Sequence, residues 1–501
     1  MIPLSYAQRR MWFINRFEGP SSTYNIPLLL RFRGPLDTAA LRGAFQDVME
    51  RHEVLRTVFE EVDGQPFQRI LDPAGIEPPW KDWGRVAPDR VPGVVASVTG
   101  SWFDLSADVP LRGCVLQTGD EEFVLVLVIH HIAGDGGSLA PLARDVSAAY
   151  RARVTGAAPD WSELPVQYSD YALWQREMLG DEDDPGSVLA VQTAYWREEL
   201  AGVSKPLPLP LDRQRPAVAG FRGESVPAGL PAELFAEVQR LARTRGVTVS
   251  MVLQAALVVL LHRLGGGRDV TLGSPIAGRT DEALNELVGF FVNTWTLRVQ
   301  VRPERSFDWV LEQVRRKALA AYDNQDVPFE RLVESLRPER STAHHPLFQV
   351  VFAWQNNTAP HLDLPGLEVT MEPLPTGSAK FDLFFNLAPT SPPAPSGARS
   401  STPPTSSTAP RWRRSRRGSR RSSRRPWPTP PPPPAGRPRA GTGPGSGSTP
   451  PNAGRSSSTG TTPPAPSPAP GRSICSSRSR PHGARTRSRC AGPAAPWPTA
   501  S

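Results

Sequence analysis

The stretch Phe123-Val-Leu-Val-Leu-Val-Ile-His-His-Ile-Ala-Gly-Asp-Gly-Gly-Ser138 joins a strand, a loop and a helix start at one place. Its apolar, β-branched first part is typical of a buried strand. A glycine-rich loop follows the two histidines, and Ser138 can cap the next helix, whose apolar residues recur with helical spacing. A histidine held between a buried strand and such a loop is a common arrangement for a base beside a cleft.

The two histidines are expected to face different ways. Adjacent residues of a strand point to opposite faces, so His130 and His131 cannot both face one cleft. This argues against a three-ligand metal site made by these histidines and Asp135, and we predict no bound metal. One histidine should be internal and structural, and the other can be catalytic. From the spacing alone, a packed histidine pair beside a capped helix is an equal alternative.

The carboxylate in the loop needs a partner. If Asp135 is buried, it requires a cation or several amide donors. Arg51 and Arg56 lie on and just after a helix that Asp37 should cap, and they are the candidate partners. Gly136 and the glycine after it allow the backbone to approach closely or to take a positive φ.

Strands and helices alternate on both sides of a proline-rich segment, residues 201–230, which we interpret as a linker. The pattern predicts a two-lobed α/β protein with lobes at 1–200 and 231–388. The helix at 250–264 is apolar nearly all round and should be buried. The other predicted elements are strands at 25–32, 123–129, 269–273, 294–301, 347–354 and 381–387, and helices after Asp37 and Ser138 and at 167–177, 192–200 and 231–245.

The composition changes abruptly after residue 388. Residues 391–501 contain 19 Arg and 26 Pro but no Lys, Asp or Glu, and Ile474 is their only branched aliphatic residue. Such a segment cannot bury enough apolar surface to offset its ordering entropy, so we predict that 389–501 are disordered. The formal net charge of +8 therefore averages a basic tail with an acidic body, because residues 1–390 carry 38 basic and 49 acidic groups.

Three origins of this tail compete. Translation of GC-rich DNA in a shifted reading frame yields this mixture of Arg, Pro, Ser, Ala, Gly and Thr, and we favour it. A basic nucleic-acid-binding tail would be expected to interleave more aromatic residues than the three tryptophans present. A plain linker is the third alternative.

The cysteines and the apolar runs bear on the compartment. There are three cysteines, Cys114, Cys475 and Cys490, without a CxxC pair, so a reducing cytoplasm is expected. The N-terminus has no basic-then-apolar signal pattern. The longest apolar run, 251–261, is too short to span a bilayer, so a soluble protein is expected.

Residues 130–136 resemble the His-His-x-x-x-Asp-Gly signature of the condensation domains of nonribosomal peptide synthetases. These domains are related to the chloramphenicol-acetyltransferase-like acyltransferases. Six further segments are similar to the family's other motifs, in the same order: 4–12, 51–59, 168–176, 289–294, 324–331 and 346–350.

The chain departs from the family pattern at several positions. Gly137 stands where the family usually has Trp, and Asn324 where it often has His. Residues 343–345, Ala-His-His, replace the usual residues before the last motif. The basic tail stands in place of the family's final helix and strand. Their loss should uncover apolar surface and leave an open sheet edge.

The resemblance implies two chloramphenicol-acetyltransferase-like lobes in a V, with the active site in a tunnel between them. It implies amide-bond formation between a donor aminoacyl or peptidyl thioester and the amino group of an acceptor aminoacyl thioester. No cofactor is bound, because both substrates are carried on phosphopantetheine arms of an upstream donor and a downstream acceptor carrier protein. The sequence context is most similar to the subclass that takes an L-configured donor.

The resemblance also implies roles for the candidate residues. His131 either accepts the proton of the acceptor amine or positions the amine and stabilises the tetrahedral intermediate. Asp135 holds the loop by pairing with Arg56, or secondarily with Arg51. Gly136 brings a backbone amide close to the substrate, and Asn293 lines the cleft, while His130 is the internal histidine.

Three alternatives are open at this point. A free-standing acyltransferase that uses coenzyme A thioesters would share the fold and the histidine motif. An inactive, truncated remnant of a synthetase would keep the motif in an unfinished second lobe. A basic nucleic-acid-binding protein is the weakest alternative.

Overall fold

Three β-sheets with flanking helices make up the part of the chain that the structure describes. The computed structural model describes residues 1–19, 21–203, 206–338, 341–356, 358–374 and 377–389, and the backbone of 396–402. The strands are β1 (Ile2–Pro3), β2 (Asn25–Arg33), β3 (Thr57–Val62), β4 (Gln65–Ile70), β5 (Trp80–Arg85), β6 (Leu111–Gln117), β7 (Glu122–His130), β8 (Glu224–Leu230), β9 (Asp269–Ile276), β10 (Asn293–Gln300), β11 (Val350–Trp354), β12 (Glu368–Pro373), β13 (Leu383–Leu387) and β14 (Ser396–Thr402). The α-helices are α1 (Tyr6–Glu18), α2 (Thr38–Arg51), α3 (Val91–Thr99), α4 (Leu139–Val154), α5 (Tyr168–Leu179), α6 (Val188–Glu199), α7 (Ala232–Arg245), α8 (Val249–Arg263), α9 (Phe307–Asp323) and α10 (Phe329–Leu336).

The histidine stretch forms the central strand of a five-stranded sheet. The strand order is β12-β2-β7-β6-β5, and β7 is antiparallel to both of its neighbours. Residues 124–129 of β7 are at most 3% exposed, as the apolar run predicted. Asn25 pairs with His130 at the end of the ladder, so the start of β2 lies beside the histidines. The predicted strands at 25–32 and 123–129 are confirmed.

Two predicted helices pack against each other beside this sheet. Asp37 caps α2, and its Oδ1 accepts the backbone N–H of Ala40 at 2.9 Å. The helix predicted after Ser138 is α4, and its apolar residues Leu142 and Val146 are buried. The capping role predicted for the Ser138 side chain is wrong, because that side chain makes no cap hydrogen bond to α4. Its hydroxyl is used in a longer-range contact described below.

The second half of the chain builds a six-stranded sheet in the order β10-β9-β11-β13-β14-β8. The strands predicted at 269–273, 294–301, 347–354 and 381–387 are confirmed, with ends shifted by a few residues. Helix α8 is buried along most of its length, as its nearly uniform apolar character predicted. Among the described residues no single helix is long and apolar enough to cross a membrane, although α7 and α8 together, bent by 107°, reach that length and composition.

The boundary predicted at residue 200 between the lobes is wrong by at least one helix. Leu189, Trp196 and Leu200, in and after α6, belong to the buried core of the second half. The Trp196 Nε1–H also donates to the Asn324 carbonyl at 2.8 Å. A helical periodicity indicates which face of α6 is apolar, but not which of two cores that face covers.

The predicted linker also contains a strand. Its last seven residues form β8, at the edge of the six-stranded sheet. The segment was interpreted as a linker because it is rich in proline and glycine. Pro227 is nevertheless tolerated in β8, because an edge strand needs hydrogen bonds on one side only.

One strand of the second half crosses to the first sheet. β12 pairs antiparallel with β2, and Arg31 Nε donates to Glu372 Oε1 at 2.6 Å across this pair. The segment 231–388 is therefore not a separate lobe throughout. β12 thus forms the edge strand of the five-stranded sheet, next to β2.

The tail predicted to be disordered contains one strand among its described residues. β14 pairs antiparallel with β13 on one side and with β8 on the other. It occupies a proline-free window between Pro395 and Pro403, so each of its residues can donate to the ladder. The open edge expected beside β13 is thus covered. The remainder of the predicted tail, from residue 390, lies outside the described residues.

Candidate active site

His130 is the internal histidine. It is 1% exposed, its Nδ1 accepts the backbone N–H of Ile132 at 3.1 Å, and its ring meets Phe103 edge-on at 5.7 Å. Burial is the main cause that lowers the pKa of His130 to about 3. The prediction of one internal histidine is confirmed by this environment.

His131 begins a short 3₁₀ turn directly after β7 and faces different neighbours. Its backbone N–H donates to the Tyr24 carbonyl at 2.8 Å, and its ring centre lies 4.8 Å from that of Phe290. Its Nδ1 lies 2.8 Å from the Gly134 carbonyl oxygen. A carbonyl can only accept, so Nδ1 carries the hydrogen and Nε2 of the neutral ring has a free lone pair.

The imidazole of His131 is uncharged at neutral pH. Burial, and after it the charge of Lys380, lower the pKa of His131 to about 3. Like its neighbour, the ring therefore offers a hydrogen-bond acceptor and not a cation.

Asp135 is buried and bound from both halves of the chain. Its Oδ1 accepts the backbone N–H of Ser138 at 3.0 Å and lies 3.4 Å from Arg279 Nη2. Its Oδ2 accepts the backbone N–H of Phe291 at 2.9 Å. Asp135 thus has both kinds of partner that were predicted as alternatives, a cation and amide donors, and the cation comes from the segment after β9.

The predicted pairing of Asp135 with Arg56 or Arg51 is wrong. Arg56 Nε donates to the Met49 carbonyl at 3.2 Å. Arg51 Nε donates to Asp145 Oδ2 at 2.9 Å. Both arginines tie α2 to neighbouring elements of the first half, whereas the Asp135 carboxylate faces the second half.

Ser138 joins the histidine loop to residues of the second half. Its Oγ donates to the Gly289 carbonyl at 2.8 Å and accepts the Gly289 N–H at 3.1 Å. The same oxygen lies 2.9 Å from Asp135 Oδ1. The side chain is fully buried, so these backbone groups have no access to water in its place.

The two glycines of the loop differ in their surroundings. Gly136 is exposed at the start of a 3₁₀ turn. A Cβ added at Gly137 would lie 3.0 Å from Arg279 Nε and 3.4 Å from Asp135 Oδ1. An added Cβ at this position would therefore require the Arg279 side chain to shift slightly.

Asn293 lies beside the cleft, but its amide is already used. Its Nδ2 donates to the carbonyls of Gln325 and Val327 at 2.9 and 2.8 Å. Its Oδ1 accepts the Phe329 N–H at 3.1 Å. Asn293 thus fixes the loop before α10 and lines the cleft through the remainder of its surface.

A cleft that is open to solvent lies between α1 and α5 on one side and residues around β10 and α10 on the other. Phe290 connects the cleft to the histidine. It lines the cleft, and its ring contacts the ring of His131. The polar lining residues are Tyr6, Arg10, Tyr171, Gln175, Thr280, Asn293, Gln325, Asp326 and Glu330.

Three of the family-like motifs meet at Tyr168. Its hydroxyl lies 2.8 Å from Ser5 Oγ and donates to the Phe290 carbonyl. Both Ser5 and Tyr168 are at most 1% exposed. The motifs at 4–12, 168–176 and 289–294 are therefore brought together by buried hydrogen bonds next to His131.

Two site residues were missed from the sequence. Arg279 pairs with Asp135, and the Nζ of Lys380 lies 3.9 Å from the centre of the Tyr24 ring beside His131. The signal for Arg279 was the requirement of Asp135 for a cation, combined with its position after a predicted strand. No comparable signal pointed to Lys380.

Comparison with known proteins identifies the family. The condensation-domain profile matches residues 1–392. A Salinispora arenicola protein described as a probable nonribosomal peptide synthetase is 53% identical over 388 residues, which cover 77% of this chain and 5% of that protein. The isonitrile lipopeptide synthase of Mycobacterium tuberculosis is 50% identical over 389 residues, which cover 77% of this chain and 16% of that protein. The crystal structure of the X-domain from teicoplanin biosynthesis is 30% identical, with a TM-score of 0.78 over 85% of this chain and 96% of that one.

The resemblance stated from the motifs and the mixed α/β fold is thus confirmed. The chain spans only a small part of the two synthetases that it matches. By its profile match, its relatives and its fold, the chain belongs to the condensation-domain family.

Proposed function

We propose that this domain forms an amide bond between a donor acyl thioester and the α-amino group of an acceptor aminoacyl thioester. The observation that carries the proposal is the free Nε2 lone pair of His131, fixed by the Nδ1 hydrogen bond to Gly134. The ring lies next to Phe290, which lines the cleft between the two halves of the chain. Such a lone pair can accept a hydrogen bond from the N–H of a substrate amine.

The reaction needs no external reactant besides the two thioesters. The amine nitrogen attacks the thioester carbonyl carbon, the C–N bond forms, and the C–S bond breaks. The thiolate leaves with the carbon–sulfur electron pair and takes up the proton that the nitrogen loses. The products are therefore one amide and one free thiol.

Of the two roles open for His131, we favour the positioning of the amine. A base whose pKa is about 3 holds a proton weakly at neutral pH, but its lone pair still accepts a hydrogen bond. That hydrogen bond would orient the nitrogen toward the thioester carbonyl and stabilise charge that develops on the nitrogen. Asp135 acts indirectly, because it holds the loop and does not face His131 Nε2.

The substrates are expected to arrive on carrier proteins. Nonribosomal peptide synthetases carry their intermediates on phosphopantetheine arms, and the domain itself would hold no cofactor. We propose an upstream carrier for an L-configured donor and a downstream carrier for the acceptor, both in the cytoplasm.

The test is a condensation assay with the full chain. Donors are N-acetylated L- and D-aminoacyl thioesters of N-acetylcysteamine, and acceptors are aminoacyl thioesters with a free amine. Mass spectrometry detects the dipeptidyl thioester, after subtraction of uncatalysed aminolysis. We expect product from L-donors, and a rate at least about 100-fold lower for His131→Ala.

A matched control uses another histidine of the chain. His262 at the end of α8 also places Nδ1 against a backbone carbonyl, at 2.6 Å from Gly267. His262→Ala should keep the wild-type rate. Equal rates for His131→Ala and wild type would overturn the proposal.

Two further measurements separate the alternatives. Donors loaded on coenzyme A and on a carrier protein are compared, and a faster reaction from coenzyme A would favour a free-standing acyltransferase. A thermal melt of the full chain tests the remnant: aggregation without a cooperative transition, together with no product, would favour it.

A further inference from the structure

The phenyl ring of Phe290 lies where the cleft meets the candidate catalytic histidine. Its centre is 4.8 Å from the centre of the His131 ring, and the planes of the two rings are inclined by 58°. Phe290 lines the cleft, although only 5% of its surface is exposed. The ring therefore bounds the space in which a group bound to His131 can lie.

The backbone that carries this ring is bonded to side chains of the first half of the chain. The Tyr168 hydroxyl donates to the carbonyl of Phe290 itself. Before it, Ser138 Oγ contacts both the N–H and the carbonyl of Gly289, and after it, Asp135 Oδ2 accepts the N–H of the next residue at 2.9 Å. The three side chains are at most 1% exposed. A shift of this backbone would therefore break several buried hydrogen bonds at once.

The same segment is also packed closely against α5. A Cβ added at Gly289 would lie 2.1 Å from Cδ2 of Tyr168, so the glycine backbone lies directly against that ring. The ring of Phe291 meets the same tyrosine ring edge-on, with centres 5.0 Å apart. Space next to His131 can therefore be gained by a change of the Phe290 side chain, and not by a retreat of the backbone behind it.

In the proposed reaction the acceptor side chain lies close to this ring. His131 Nε2 accepts a hydrogen bond from the acceptor amine, and the α-carbon of the acceptor is one bond away from that nitrogen. A side chain on this α-carbon therefore begins beside the imidazole, which the ring of Phe290 contacts. The donor side chain is one bond farther from the nitrogen, because the carbonyl carbon stands between them.

We propose that Phe290 is a specificity-determining residue of the condensation site, and that its ring limits the size of the acceptor side chain. The inference rests on the proposed function. A ring in a closely packed wall yields little to an added methylene group, because its neighbours leave no space for it to move into. Small acceptor side chains fit beside the ring, whereas larger ones collide with it.

The experiment measures kcat/KM of the full chain for a series of acceptors. Glycyl, alanyl, leucyl and phenylalanyl thioesters of N-acetylcysteamine are compared with one N-acetylated L-aminoacyl donor. For Phe290→Ala we expect the leucyl-to-glycyl ratio of kcat/KM to rise at least about tenfold, and for Phe290→Leu we expect a smaller rise. Each ratio is taken within one variant, so it does not depend on how much of that variant is folded.

Phe103 provides a matched control at the other histidine. Its ring meets the ring of the internal His130, with centres 5.7 Å apart, and it is fully buried. Phe103→Leu makes the same change as Phe290→Leu and should keep the wild-type leucyl-to-glycyl ratio. A series of donors of increasing size, compared at a fixed glycyl acceptor, should keep its wild-type ratios in Phe290→Ala.

A leucyl-to-glycyl ratio that stays at the wild-type value or falls in both Phe290 variants would overturn the inference. A change confined to the donor series would overturn it as well, because the ring would then bound the donor. Loss of product with every acceptor in both variants would assign the ring a structural role, with the same consequence. These outcomes leave the proposed function intact, whereas no product from wild type with any acceptor overturns the proposed function too.

Discussion

Asp135 of the histidine loop and Arg279 of the segment after β9 form an ion pair at 3.4 Å. The side chains are 1% and 9% exposed, so each charge depends on the other for compensation. The pair joins the loop that carries His131 to the second half of the chain. Correct placement of the candidate catalytic histidine therefore requires both halves of the domain.

Loss of either charge should destabilise the whole domain. We expect Asp135→Asn and Arg279→Gln each to lower the thermal midpoint by about 5 °C or more, because each leaves a buried partner charge uncompensated. The double variant should lose less than the sum of the single losses. Thermal unfolding followed by circular dichroism measures all three. Strictly additive losses would contradict the pairing.

A methyl group at position 137 should disturb this pair. The added Cβ of Gly137→Ala would lie 3.0 Å from Arg279 Nε, so the guanidinium that pairs with Asp135 must shift. We expect a loss of stability of about 1–3 kcal/mol, together with a lower condensation rate. Gly93→Ala in α3, where an added Cβ meets nothing within 4 Å, is the control. Equal melting curves for the two variants would contradict this prediction.

Local patterns in the sequence predicted the elements around the site. Each signal describes only the element in which it lies. The signals are the apolar run of β7, the Asp37 cap of α2 and the all-round apolar character of α8. The motifs then placed His131 and Asp135 together in one loop. All of this information lies within short stretches of chain.

The partners of that loop depend on residues far away along the chain. Arg279 is 144 residues from Asp135, and Gly289 is 151 residues from Ser138. Periodicity and capping rules describe neither contact, so Arg56 and Arg51 were favoured because they were near in sequence. The same limit placed α6 in the wrong core, because its apolar face fits either half of the molecule.

Removal of one hydroxyl should loosen the contact between the halves. Ser138→Ala takes away the only side-chain oxygen that the described structure places on both the N–H and the carbonyl of Gly289. Because these groups are buried, we expect a loss of about 1–3 kcal/mol of stability and a reduced rate. Ser97→Ala in α3, which removes a hydroxyl bonded within its own helix, is the control. A Ser138→Ala variant as stable as Ser97→Ala would contradict the role of this contact.

A histidine outside the loop, with a buried ring nitrogen, should make the domain sensitive to acid. His345 stacks on Phe348, with ring centres 4.1 Å apart, and its Nδ1 has no hydrogen-bond partner among the described residues. Burial lowers the pKa of His345 from 6.5 to about 3. Between these values the unfolded chain binds more protons than the folded one, so stability is full above about pH 6.5 and decreases as the pH falls.

Substitution of His345 by phenylalanine should reduce this sensitivity. Phenylalanine keeps an aromatic ring in the stack and does not titrate, so the fall in thermal midpoint between pH 7.5 and pH 5 should be smaller in His345→Phe than in wild type. Thermal melts at both pH values measure the difference. His344→Phe at the adjacent position, outside the stack, should keep the wild-type fall. If His345→Phe and wild type lose the same number of degrees, the neutral, buried state assigned to His345 is wrong.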